Sequence, residues 1–189
     1  MFILLISIFL ISCTKDNKEN IFNKLEKTRD KYYGYKTEVD ITINMEEKES
    51  FYSIKESYFS DKDKYIVEII DPLKSNGIEI QYEGDKISIK HASFDEYISL
   101  KSDYGINKGM LFGELLKDLN SINKVNVEKL DDITYYVFYI DVKEKNQYTE
   151  EIKIWLEKKD FRPFMLNILD KDKNPRAIYK YKNFEYIKG

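Results

Sequence analysis

The last third of the chain, Glu151–Gly189, reads EIKIWLEKKDFRPFMLNILDKDKNPRAIYKYKNFEYIKG. Ile152, Ile154 and Leu156 alternate there with Lys153, Trp155 and Glu157. That is the period of a strand with one face in a core. Lys158-Lys159-Asp160 makes a charged turn, Pro163 opens the next apolar segment, and Asp170–Asn174 closes it. The pattern predicts three successive strands joined by tight polar turns. Trp155, the single Trp of the chain, falls on the mixed face of the first strand. The alternation predicts that it covers a helix or a partner and takes no part in chemistry.

The same period runs backwards through the chain. Tyr35, Thr37, Val39, Ile41, Ile43 and Met45 alternate with polar residues, and Glu46–Glu49 reads as a charged turn. Phe51–Phe59 is a second strand, with Tyr52, Ile54 and Tyr58 on one face, and Tyr65–Ile70 a third, stopped by Asp71-Pro72. Ile78, Ile80 and Tyr82 lead through Gly84-Asp85 into Ile87 and Ile89, a tight hairpin. Phe94–Leu100 is a weaker strand, and Val125–Leu130 and Ile133–Val142 are another pair. Tyr135–Ile140 is apolar on both faces, as in a strand covered from both sides.

Two stretches carry helical spacing instead. Ile21, Leu25, Thr28 and Tyr32 predict a helix over residues 18–33, with Asp16 or Asn17 as its cap and Gly34 as a left-handed stop. Leu111, Phe112, Leu115, Leu116 and Leu119 predict a second one. The sum is about ten or eleven antiparallel strands with one helix before the sheet and one in its middle. Such a sheet curls, and the apolar helix faces have to be buried. The expected fold class is therefore α+β: a curved antiparallel sheet with both helices on its concave side. No linker composition or repeat divides the 189 residues, so one domain is expected.

The N-terminus reads differently. Phe2–Ile11 is apolar except for Ser7, too short to span a bilayer and of the length of a signal-peptide core. It runs into Leu10-Ile11-Ser12-Cys13, which resembles a bacterial lipobox: a Leu, a small residue before the cleavage point, and the Cys whose thiol takes the lipid. No Lys or Arg precedes the apolar run, a departure from that pattern. The reading expects a lipoprotein signal peptide over 1–12, a lipidated Cys13 with a tether over 13–17, and a folded domain over 18–189. With one Cys, no disulfide forms within the chain.

Several of these segments resemble the LolA/LolB-like lipoprotein family. Asp71-Pro72, Asn76-Gly77 and Tyr82-Glu83-Gly84-Asp85-Lys86 are similar to its "P…G…YDGK" region. Ile152–Leu156 followed by Pro163 is similar to its "LWVD…P" strand pair, and Asp170–Asn174 to its acidic turn. The resemblance implies an incomplete β-barrel with a helical lid. Lipobox, small size and a Lys/Ile/Asn/Tyr-rich composition look most like the GerS-type germination lipoproteins of anaerobic spore-formers. That resemblance implies a non-enzymatic role: binding and activating a CwlD-like cell-wall amidase, so that muramic-δ-lactam forms in the spore cortex. It also implies a homodimer by strand exchange, and a place on the extracytoplasmic face of a membrane, in the intermembrane space of the forespore. It assigns no contact residues.

The residues themselves name no reaction. His91 is the one His, and nothing marks a nucleophile or an orienting acid beside it. One Cys and one His do not make a zinc site, and the seven glycines form no phosphate loop. No cofactor, catalytic residue or metal ligand is expected, and the ligand-binding residues are unknown. The net charge of −3 argues against nucleic acid, and Lys171, Lys173, Arg176, Lys180 and Lys182 read as turn and solvent-facing positions. The sixteen tyrosines fit either strand preference or an aromatic cavity or interface. The alternative function is a lipid or lipoprotein carrier or sensor. A carrier needs an open apolar interior. A partner-binding protein would fill it with Leu111, Phe112, Leu115, Leu116 and the strand tyrosines.

Overall fold

The computed structural model describes residues 17–45, 48–72, 77–91, 93, 97–101 and 108–189. Cys13, the signal-peptide segment, Asp16, Asn76 and Phe94 lie outside them. Asn17 caps the first helix, α1 (Lys18–Asp30), by accepting the Asn20 N–H on its Oδ1 at 2.8 Å. α1 stops short of the expected residue 33. Its C-cap is Lys31, in a right-handed conformation, so Gly34 is no helix stop. Gly34 instead opens the first strand. A Cβ built on it would stand 1.9 Å from the Tyr58 carbonyl oxygen. The close approach of two backbones, rather than a cap, requires glycine there. Gly34→Ala is expected to lower stability by about 3 kcal/mol in a urea titration. A loss under about 0.5 kcal/mol, the range of inconsequential surface changes, would show that the strands separate freely at this point.

The strands are β1 (Gly34–Met45), β2 (Lys48–Phe59), β3 (Lys64–Asp71), β4 (Ile78–Glu83), β5 (Lys86–His91) and β6 (Ile98–Lys101), then β7 (Ile122–Leu130), β8 (Ile133–Asn146), β9 (Thr149–Glu157), β10 (Pro163–Leu169) and β11 (Pro175–Ile187). Between the two runs stands α2 (Phe112–Leu115). Among the described residues, eleven strands form one open antiparallel sheet, an incomplete barrel, in the order β6-β5-β4-β3-β2-β1-β11-β10-β9-β8-β7. The fold class is the expected one. The strand order adds a feature that local pattern does not carry. Two meanders lie back to back, and the first strand pairs with the last, from Gly34 opposite Ile187 to Ile43 opposite Ala177. The C-terminal strands therefore sit in the middle of the sheet and not at a closing edge.

One residue row shows how the seam is held. Val125, Phe138, Ile154, Leu166, Tyr179, Ile41 and Tyr52 face one another across seven strands, β7 through β2. Phe138, Ile154 and Leu166 in this row are fully buried. Burying each such side chain stabilises by about 1.5–3 kcal/mol relative to leaving it in water. The row crosses the β1–β11 junction without a polar interruption, so the two meanders share one core. Ile21 and Leu25 of α1, with Phe112 and Leu115 of α2, bury into the same face. Phe22 lies over Phe138 with ring centroids 6.4 Å apart.

The second helix is much shorter than its spacing predicts. It has four residues, with three-residue 3-10 turns at Lys108–Met110 and Leu119–Ser121. Gly113 in its centre is a poor helix former. Phe112, Leu115 and Leu116 are nevertheless buried, as their spacing requires.

Candidate functional site

The inner face between α1 and α2 is built on a row of tyrosines. Tyr35, Tyr58, Tyr65 and Tyr82 stand opposite one another on β1, β2, β3 and β4. Tyr58 and Tyr65 stack with centroids 4.4 Å apart, and Tyr35 is 5.7 Å from Tyr58. Phe112 of α2 meets Tyr35 edge-on at 5.3 Å. Tyr32, past the end of α1, stacks on Tyr186 of β11 at 4.2 Å. Such contacts stabilise beyond the area they bury.

In the next row lies Glu56, 3 % exposed on the core face. It accepts the Tyr35 hydroxyl and, at 3.2 Å, the Phe112 N–H. The Tyr35 hydroxyl in turn accepts the Gly113 N–H at 2.9 Å. Two backbone donors at the start of α2 are thereby satisfied by strand side chains. Burial lifts the Glu56 carboxyl to about 7, although both hydrogen bonds favour its ionised form. Tyr82 and Tyr179 are pushed up to about 12, by burial first and then by Glu56.

A charge cluster holds the outer side of α2. Lys117 pairs with Asp63 and Glu114, and Lys108 reaches the same two carboxylates at 3.7 and 3.6 Å. The Lys117 ammonium holds the Asp63 carboxyl below its usual range. Between α1 and α2 remains a cavity of about 400 Å³, with Leu25, Tyr35, Tyr58, Phe112, Leu116 and Tyr186 among its walls. Arg29, Asp30 and Lys117 stand at its polar side. This is the size of a small-ligand site.

The one hydroxyl–carboxylate pair of this arrangement, Tyr35 with Glu56, is buried and engaged with the backbone of α2. His91 lies at the end of β5, away from these rows, and its Nδ1 accepts the Ser93 N–H at 3.1 Å. Among the described residues, no three His, Cys, Asp or Glu side chains converge as a metal site would need. The basic C-terminal residues are largely paired: Lys173 with Glu151, Arg176 with Asp170 and Lys182 with Asp40. Asp170, 1 % exposed, also accepts the N–H groups of Asp172 and Asn174, both at 2.9 Å, and so fixes the turn before β11.

Trp155 lies on the opposite face of the sheet, with Tyr135, Val137, Tyr139 and Met165 around it. These are all strand residues, so it covers no helix. Its Nε1 donates to Glu128 at 2.9 Å, and the Lys153 ammonium sits 4.2 Å above the ring. At 5 % exposure it is a packing residue of the outer face. Trp155→Ala is expected to cost about 3 kcal/mol in a denaturant titration. Unchanged stability would leave a contact surface as its only role.

Glu56 is a site residue that the sequence patterns above do not single out. The signal was there: Glu56 has the parity of Tyr52, Ile54 and Tyr58, not that of Ser53, Lys55 and Ser57.

The family described as sporulation protein YdcC-like matches residues 1–188. The chain belongs to that family. Among curated proteins, none matches the sequence. Solved structures do. An uncharacterized conserved protein from Thermus thermophilus aligns with 90% of this YdcC-like chain and 88% of its own, at 11% identity and a TM-score of 0.61. One chain in the structure of the CwlD amidase from Clostridioides difficile in complex with the GerS lipoprotein aligns over 90% of this chain and 96% of its own. Its identity is 26% and its TM-score 0.53. A LolA superfamily protein from Nitrosomonas europaea aligns over 90% and 93%, at 14% identity and a TM-score of 0.44.

Proposed function

We propose that this chain is a non-enzymatic lipoprotein that binds and activates a cell-wall N-acetylmuramoyl-L-alanine amidase during spore-cortex modification, and so supports germination. The observation that carries the reading is the 26% identity, over nearly the full length of both chains, with a chain of the GerS–CwlD complex. Membership in a sporulation family points the same way. The interior adds support, because Phe112, Leu115, Leu116 and the tyrosine row occupy the inner face that a carrier would keep open. The remaining cavity of about 400 Å³ favours the second reading, a lipid or lipoprotein carrier or sensor.

Copurification of the full chain from sporulating cells separates the two. An amidase in the recovered complex is the expected result. Acyl chains recovered with no protein partner would replace this reading with the second. The anchor in the proposal is the thiol of Cys13, at the extracytoplasmic face of the membrane. A palmitate analogue should label the parent chain, and a Cys13→Ala chain that still takes up the label would place the lipid elsewhere.

A further inference from the structure

The sheet is open, and among the described residues its outermost strands are β6 and β7. β6 has four residues, whereas β7 has nine and, among the described strands, pairs with β8 alone. A bare strand edge offers a row of backbone donors and acceptors to another strand. One end of this edge is already occupied: Lys18 of α1 donates to the carbonyls of Ile122 at 2.5 Å and Asn123 at 3.5 Å. The stretch beyond it is Lys124-Val125-Asn126-Val127-Glu128.

Read backwards, this stretch is its own complement. Laid antiparallel on a second copy and centred on Asn126, it sets Lys124 against Glu128 of the other copy, Val125 against Val127, and Asn126 against itself. The faces agree. Lys124, Asn126 and Glu128 stand opposite Tyr139, Val137 and Tyr135 on the Trp155 side, while Val125 and Val127 stand opposite Phe138 and Tyr136 on the core side. Val127 is 54% exposed in the single chain and would be covered. Sliding the register by two residues one way sets Val125 against Lys129 and Lys124 against Leu130, and sliding it the other way sets Lys124 against Asn126 and Glu128 against Ile122, so of these three alignments only the one centred on Asn126 pairs Lys124 with Glu128, twice. Opposite charges directly across a strand pair attract, and like charges there repel.

We infer that two copies of this chain pair β7 to β7, antiparallel about Asn126, and continue one sheet through the dimer. No strand changes hands, so this dimer differs from one made by strand exchange. Glu128, which already takes hydrogen bonds from Trp155 at 2.9 Å and Lys153 at 3.1 Å, becomes the meeting point of both chains.

Sedimentation equilibrium of the full chain in a mild detergent tests this. The parent chain is expected to dimerise with rising concentration. Lys124→Glu turns two facing pairs from attraction to repulsion and should weaken the dimer about tenfold or more. Glu128→Lys should weaken it likewise, and an equimolar mixture of the two variants should restore it, since each substituted position then faces an opposite charge. Asn126→Cys in a Cys13→Ser background should cross-link to itself on oxidation, while Asp132→Cys should not. A chain that stays monomeric, a dimer indifferent to Lys124→Glu, or no cross-link at position 126 would overturn the inference, whether or not Glu128→Lys folds.

Discussion

A chain ending at Asn174 is expected to lose its cooperative unfolding transition. The missing segment is β11, which is hydrogen-bonded to β1 on one side and β10 on the other. It contributes Ala177, Tyr181 and Phe184 to the core. Each large side chain so buried is worth about 1.5–3 kcal/mol, and the lost contacts together approach the roughly 5–15 kcal/mol that hold a typical domain. The truncated chain also exposes two new strand edges. Urea unfolding followed by Trp155 fluorescence and far-ultraviolet dichroism reads the outcome. A sigmoidal transition with the parent's slope would mean that the two meanders hold together without their shared strand. Adding residues 175–189 as a separate peptide should restore the transition.

Glu56→Gln is expected to stabilise the chain at pH 8 and to change little at pH 4. The folded Glu56 carboxyl titrates at about 7 against an ordinary value of 4.5. Below 4.5 the group is protonated in both states and costs nothing. Between 4.5 and 7 the unfolded chain loses the proton while the folded chain keeps it, so stability falls as pH rises, and above 7 the whole penalty is present. At about 1.4 kcal/mol per pKa unit, the penalty is on the order of 3 kcal/mol. Gln accepts the same hydrogen bonds from Tyr35 and Phe112 without a charge. Urea midpoints of both chains at pH 4 and pH 8 isolate this effect, because the other titrating groups cancel. An equal difference at both values would show that burial does not control this carboxyl. Asp170 works in the opposite sense. Burial opposes its ionised form, but the Asn174 N–H, Arg176 and the Asp172 N–H outweigh that and hold it below the usual range. Its contribution is present at neutral pH and disappears on acidification.

Period and parity made most of the elements legible. Ile152, Ile154 and Leu156 do face the core and Trp155 does face away, as their alternation requires. The β1–β11 pairing was not legible, because Gly34 and Ile187 have no local relation that a window of sequence can register. The second helix was half legible. Its apolar spacing located Phe112, Leu115 and Leu116 in the core, but the spacing is silent about length, and Gly113 together with the Asp118-capped turn keeps the helix to four residues. The tyrosines had two readings until the register put Tyr35, Tyr58, Tyr65 and Tyr82 in one row. Glu56 shows the remaining gap: its parity pointed inward, but the partners that satisfy it come from β1 and α2, 21 and 56 residues away.

The pairing of first strand with last has a further meaning for the chain's connectivity. Numbered from β7 through β11 and on from β1 to β6, the sheet is a plain up-and-down meander, each strand beside the next. The natural chain is that meander opened between β11 and β1. A circular permutant that joins Gly189 to Lys18 through a flexible linker spanning the length of α1, about 20 Å, and begins at Ile122 would turn the seam into an ordinary connection between sequence neighbours. Its mean contact separation falls, and two-state folding rates rise as that separation shortens. The folded domain from Lys18 onward therefore holds a faster-folding relative of itself, with the same side chains and a backbone cut in a different place.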